Sequence, residues 1–211
     1  MHDQHAHDTV EDDGRHVDRG VARRQAFLQA AREVFLEQGY EEASVNDVVR
    51  RAGGSLATLY AQFGNKEGLF LAVAQDQNDR FVRAITPECV DHLPLEQGLQ
   101  AMGDRYLHAL LAKDNLAFFR IMVGEGRKFP QLLQRYISTG SEKVRGTVAD
   151  YLKKNGKIPE PEAVAPYFLE VVRSKHHYRA MSDESYRLTD AEIEQYVAQA
   201  VKFFLNGAMP R

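Results

Sequence analysis

The chain reads as all-α, with about nine helices. Apolar residues recur at three- and four-residue spacing over most of its 211 residues, and no segment keeps the strict two-residue alternation of a strand. The periodic stretches are bounded by capping residues, glycines and prolines. One segment precedes them. Residues 1–18 hold six acids against one arginine, with two valines and no aromatic residue, too little apolar surface to offset the entropy of ordering. They read as a disordered acidic tail. His2, His5, His7 and His16 in it are half of the eight histidines, but histidines on a flexible chain are not a preformed site, and no metal is expected.

The first helix carries Phe27, Ala30, Ala31, Val34 and Phe35 on one stripe and stops at Gly39. Ser44 caps a second helix, with Asp47 in its first turn and Val45, Val48, Val49 and Ala52 on one face, ended by Gly53 and Gly54. A third opens at Ser55 with Leu59 and Phe63 inward. Asn65 caps a fourth, over Lys66 to Arg83, and Pro87 to Pro94 is a break. Five more helical patterns follow: Leu95 to Ala112, Asn115 to Lys128, Pro130 to Asn155, Pro161 to Met181 and Asp190 to Asn206. Gly156 and Pro159 mark one boundary, and Thr189 with Glu192 forms a capping box before the last helix.

Two short helices joined across a glycine, behind a longer helix that packs on both, are the parts of a helix-turn-helix unit. Small bundles share that periodicity, so the residues themselves decide. Phe35, Gly39-Tyr40, Ser44 before Val48, Ala52-Gly53, Ser55, Thr58-Leu59-Tyr60, Phe63, Asn65-Lys66-Glu67 and Leu69-Phe70 occur in order within Arg24 to Phe70. That segment resembles the DNA-binding domain of the TetR/AcrR transcriptional regulators. Leu116 to Gly140 looks like the C-terminal domain of the AefR-like subgroup. The domain expectation is a tail over 1–18, a DNA-binding domain over 19–68 and a helical ligand-binding and dimerisation domain over 69–211.

Physically, the helix opened by Ser55 would lie in the major groove and read base edges from an outward set of Ser55, Leu56, Ala57, Thr58, Tyr60, Ala61 and Gln62. The N-terminus of Ser44's helix, with its open N–H groups and dipole, suits a phosphate. The resemblance implies backbone contacts for Thr58, Tyr60 and Lys66, and a base-reaching position for Asn46. Each has a plainer alternative: Tyr60 as a packing residue, Thr58 as helix surface, Lys66 as a first-turn cation that the dipole disfavours unless an anion is near. Family members often carry a branched apolar residue at position 54 and Lys-Gly at 56 and 57, where this chain has Gly54, Leu56 and Ala57. Leu56 and Ala57 offer apolar contact to thymine methyls instead. Residues 19–80 hold eight basic against eight acidic residues, so a basic footprint must come from placement; Arg19, Arg23 and Arg24 lie where an arm would follow the DNA backbone, and Arg50-Arg51 reads as solvated.

Beyond residue 85, Leu116, Phe118, Phe119, Ile121, Met122 and Val123 surround nearly every side of one helix, which must be buried on all faces. It is either bundle core or the wall of a ligand cavity. The candidate lining is Tyr106, Phe118, Phe119, Met122 and Phe168, with Tyr106 and His108 as polar points. The last two helices carry more apolar residues than one core needs. Val171, Val172, Tyr196, Val197, Val201 and Phe204 are the candidate dimer interface, and the resemblance implies a homodimer through a four-helix bundle, a symmetry that suits a palindromic operator. The alternative is that both faces pack inside one chain.

The expected function is a DNA-binding repressor released from double-stranded, palindromic operator DNA by a small, largely apolar effector. Alternatives are a helical interaction module without DNA, and a small all-α enzyme. No dinucleotide, P-loop, zincin or nucleophile-elbow motif is present, and adjacent His176 and His177 point about 100° apart on a helix. No enzyme activity and no cofactor are expected. The net charge of −3 excludes a whole-chain basic signal. Cys89 is the only cysteine, which excludes an internal disulfide. The longest run without a charged residue, Ala52 to Asn65, has 14 residues, short of the roughly 17 a membrane span needs. The start lacks a signal-peptide apolar core, so the cytoplasm is the expected location, with no membrane partner.

Overall fold

The computed structural model describes residues 10–85 and 90–208. Among them are nine helices: α1 Val10–Glu42, α2 Val45–Ala52, α3 Leu56–Phe63, α4 Lys66–Ile85, α5 Leu95–Leu111, α6 Lys113–Glu125, α7 Pro130–Asn155, α8 Pro161–Ser182 and α9 Asp190–Ala208. The all-α expectation and the order of elements hold. Helix α1 begins inside the stretch whose composition reads as a tail. The tail assignment for residues 1–9, and their histidines, lies outside the described residues. So do residues 87–89 of the break that begins at Pro87.

The chain divides into two compact units, up to Asp76 and from Gln77. In the first, Gly39 breaks α1 by adopting φ 76°, a left-handed backbone that favours glycine. The core is aromatic. Phe27 meets Phe63 edge-on at 6.3 Å, Phe35 meets Phe70 at 5.0 Å, and Tyr40 meets Phe70 at 4.7 Å. Phe70 lies beyond the expected domain boundary after residue 68, and its rings explain why the first half of α4 belongs to this unit. Position 54 has no room for the branched side chain the family often carries: a Cβ on Gly54 would stand 2.5 Å from Phe27 Cζ. Phe27 already fills that space.

In the second unit α5, α8 and α9 pack around Leu99, Leu107, Phe168, Val172, Val197 and Val201, all fully or almost fully buried. Each such side chain contributes about 1.5–3 kcal/mol of transfer free energy. Gly103 allows the close approach, since a Cβ there would lie 2.6 Å from Val197 Cγ1. The capping box forms as the sequence predicts: Thr189 N–H donates to Glu192 Oε2 at 2.8 Å, and Glu192 N–H donates to Thr189 Oγ1 at 3.2 Å. Helix α8 is broken at Ser174, whose φ of 31° is unusual for a residue with a Cβ.

Candidate DNA-reading helix and ligand cavity

Helix α3 buries Leu59 and Phe63 and exposes Ser55, Leu56, Ala57, Thr58, Tyr60 and Gln62. The split follows from helical spacing. Leu56 is 38% exposed and Tyr60 45%, high for side chains that bury apolar area when given the chance. The helix start is rigid: Thr58 N–H donates to Ser55 Oγ at 3.1 Å, and the two hydroxyls lie 2.8 Å apart. At α2, Ser44 occupies the cap position with extended backbone, but its side chain makes no cap hydrogen bond, and Asn46 beside it is exposed.

The cations around this face are already engaged. Lys66 Nζ donates to the Glu41 carbonyl at 2.7 Å and sits 5.0 Å over the Tyr40 ring. The carbonyl end of α1 is thus the negative partner a first-turn lysine requires, without DNA. Arg23 Nη1 donates to the Gly53 carbonyl at 2.5 Å, closing the C-terminus of α2, and the Arg24 guanidinium lies 4.9 Å over Phe63. Arg51 is not merely solvated. It grips Glu37 bidentately, which raises its own pKa and lowers that of Glu37 chiefly through the hydrogen bond. Arg50 pairs with Asp47 at 2.7 Å.

The second unit holds a cavity of about 250 Å³. Tyr106 and Phe119 line it as expected. Phe118, Met122 and Phe168 do not, because each is 0–1% exposed and packed in the core rather than turned to the void. His108 does not either: it lies on the surface, with Nδ1 2.7 Å from the Asp104 carbonyl and Nε2 3.2 Å from Asp190 Oδ1. The polar lining comes instead from Asn78, Asn115, Tyr136, Arg145, Arg173 and His177. Spacing arguments missed them because each sits on an otherwise ordinary amphipathic helix. The one available signal was His176-His177. The two rings do face different ways, with His177 on the cavity and His176 Nδ1 2.6 Å from the Tyr186 hydroxyl.

Burial tunes these groups toward neutrality. Desolvation pushes the Tyr106 phenol up to about 12 and also raises Tyr136. Desolvation, then the charge of Arg173, lowers His177 to about 4. Both phenols and this imidazole are therefore uncharged at neutral pH.

Four of the six candidate dimer residues are buried within the single chain. Val172, Val197 and Val201 are 0% exposed and Phe204 5% within the single chain. They are core, because α8 and α9 turn their main stripe against α5. Val171 and Tyr196 are half-buried and tied together, the Tyr196 hydroxyl donating to the Val171 carbonyl at 2.7 Å. The outward apolar residues of these helices are Tyr167, 67% exposed, and Phe203, 72% exposed. Among the described residues no helix is long and apolar enough to cross a membrane.

Residues 27–73 match the profile of bacterial regulatory proteins of the TetR family, and residues 97–207 match the AefR-like transcriptional repressor C-terminal domain. The transcriptional repressor ComR of Escherichia coli is 48% identical over 61 residues, 29% of each chain. The repressor AcnR of Corynebacterium efficiens is 38% identical over 69 residues, 33% of this chain and 37% of AcnR. These alignments span only about a third of the relatives' lengths. Two solved structures extend the likeness. A TetR-family regulator from Mesorhizobium loti superposes with a TM-score of 0.81 at 26% identity, covering 91% of this chain and 99% of its own. The flavonoid-responsive regulator FrrA gives 0.74 at 29% identity, covering 90% and 98%. With one family profile on its helix-turn-helix segment and another across more than half its length, this chain belongs to the TetR family of bacterial transcriptional regulators, not to a family of enzymes.

Proposed function

We propose that the chain is a homodimeric transcriptional repressor of the cytoplasm that reads a palindromic operator through α3 and is released by a small molecule held in the second unit. The observation that carries this is the composition of the outward face of α3. Six exposed, uncharged side chains stand on a helix whose start is fixed by the Ser55 cap. In the major groove Leu56 and Ala57 meet thymine methyls, Gln62 reaches base edges, and Thr58 and Tyr60 meet backbone phosphate. Ser44 and Asn46 bring the open N-terminus of α2 to a second phosphate. Lys66 holds the C-terminus of α1 and adds charge near the same strand.

Dimerisation uses the outward side of α8 and α9, with Tyr167 and Phe203 as anchors, rather than the inward valines. Two such chains offer two reading helices, matched to half-sites about 34–36 Å apart or a multiple of that. Helix α4 runs through both units, carrying Lys66 in its first turn and Asn78 and Phe81 on the cavity. A ligand that favours a state with altered half-site spacing by about 1–3 kcal/mol shifts the population off DNA. The flavonoid response of FrrA supports a small-molecule effector for this architecture. The test is selection of bound sequences from a random duplex pool by the full chain. A recovered inverted repeat supports the reading; a pool that stays random removes it.

A further inference from the structure

The groups left over around the cavity include several that can donate. His177 is 6% exposed and its Nδ1 has no partner, and the buried Nε of Arg173 has none either. Tyr106 and Tyr136 line the cavity and bring two phenol groups to it. Asn115 and Asn78 each spend an amide donor inside the chain: Asn115 Nδ2 donates to the Ala109 carbonyl at 2.6 Å and Asn78 Nδ2 to the Tyr136 carbonyl at 2.8 Å. Charge has the same bias. Glu170 is the lone acid of the lining and is paired to Arg173 at 2.5 Å. Arg145 gives its Nε to the Ser141 carbonyl at 3.1 Å and meets no carboxylate among the described residues. Two arginines against one glutamate leave the lining one positive charge in excess.

An acceptor-only group with one negative charge answers both biases, and a carboxylate is that group, with four lone-pair sites and a shape that matches guanidinium. The rest of the wall selects the body. Phe119 lies 6.4 Å from the Tyr136 ring and 5.4 Å from the His177 ring, and Phe81 meets Tyr106 edge-on at 6.1 Å, so flat π surfaces dominate. A cavity of about 250 Å³ suits a one- or two-ring acid. We infer that the cavity takes an aromatic monocarboxylate, its rings against Phe119 and Tyr136 and its carboxylate toward Arg145 and Arg173. This rests on the reading of the cavity as the effector site.

The probes are 2-naphthoate, its uncharged isostere 2-naphthamide and the cation 2-naphthylmethylamine, each titrated calorimetrically into the full chain. The acid binds at least about tenfold more tightly than the amide, and the amine does not bind. Arg145→Gln and Arg173→Gln each remove most of that preference, and Tyr136→Phe reduces it less. Should Arg173→Gln unfold through loss of Glu170, Arg145→Gln carries the comparison. Leu110→Trp, which fills the cavity, abolishes acid binding. If the amide matches the acid and Leu110→Trp abolishes both, the carboxylate class is overturned while the cavity reading stands. If the acid binds Leu110→Trp and both arginine variants as it binds the wild type, the cavity reading falls and takes the class with it. Absence of binding by the acid to the wild-type chain also overturns the class.

Discussion

The two units use their polar side chains in opposite ways. In the first, Arg23, Arg24, Arg51 and Lys66 each find a partner in their own chain, and what faces outward on α3 is uncharged. In the second, Arg145, Arg173, His177 and two tyrosines surround a void with hydrogen-bonding capacity left over. A reading face whose neighbouring cations are held by their own chain presents a fixed surface. A unit with polar side chains gathered on a cavity has groups available to a ligand. The contrast separates a reading head from a sensor.

The largest effects should come from breaking the first unit's core. Phe27→Ala removes a fully buried ring that touches Phe63 and fills the space at Gly54, and should cost about 3–5 kcal/mol in urea unfolding. Gly54→Val, which drives a side chain into Phe27, should cost about 1–3 kcal/mol by the same measurement. Equal stability for both variants and wild type would show that the Phe27 contact does not organise this unit.

Next is the division between core and interface on α8 and α9. Phe203→Glu should turn dimer into monomer in sedimentation while leaving the helical circular dichroism unchanged. Val197→Glu should instead lose helicity, because an unpaired carboxylate is forced into the intrachain core. An intact dimer for a folded Phe203→Glu would move the interface elsewhere.

That division marks where the sequence was legible and where it was not. Periodicity located every helix, the Ser55 and Thr189 caps and the inward Leu59 and Phe63, since each depends on neighbours within a few residues. It also recognised the apolar surplus of α8 and α9. It could not tell core from interface, because a stripe such as Val172, Val197 and Val201 has the same spacing whether it meets α5 or a second chain. The cavity was half visible for a related reason. Phe118 and Phe119 are adjacent and equally apolar, and only the packing of the neighbouring helices turns one into core and the other toward the void.

A smaller effect concerns His177. Its folded pKa of about 4 lies below the ordinary 6.5, so the unfolded chain binds the proton first as pH falls. The stability it contributes is full above about pH 6.5 and is lost progressively toward pH 4. Urea unfolding of wild type and His177→Gln across this range should show the wild type losing more stability, with the difference flattening below pH 4. Parallel pH curves would mean that His177 is not held neutral.

The smallest is Lys66→Ala. Loss of its hydrogen bond to Glu41 should cost about 0.5–1.5 kcal/mol. If Lys66 also meets phosphate, the log–log salt dependence of DNA affinity becomes shallower by about one unit. An unchanged slope with lower stability would leave it a purely structural lysine.

The central claim is that α3 reads DNA through its exposed, uncharged face. Hydroxyl-radical footprinting of the protein's side chains, with and without the operator recovered by selection, tests it most directly. Leu56 and Tyr60 should lose most of their reactivity on the operator, while Tyr178, also exposed but far along the chain on α8, keeps its own. Unchanged oxidation of Leu56 and Tyr60 at saturating operator would contradict the account.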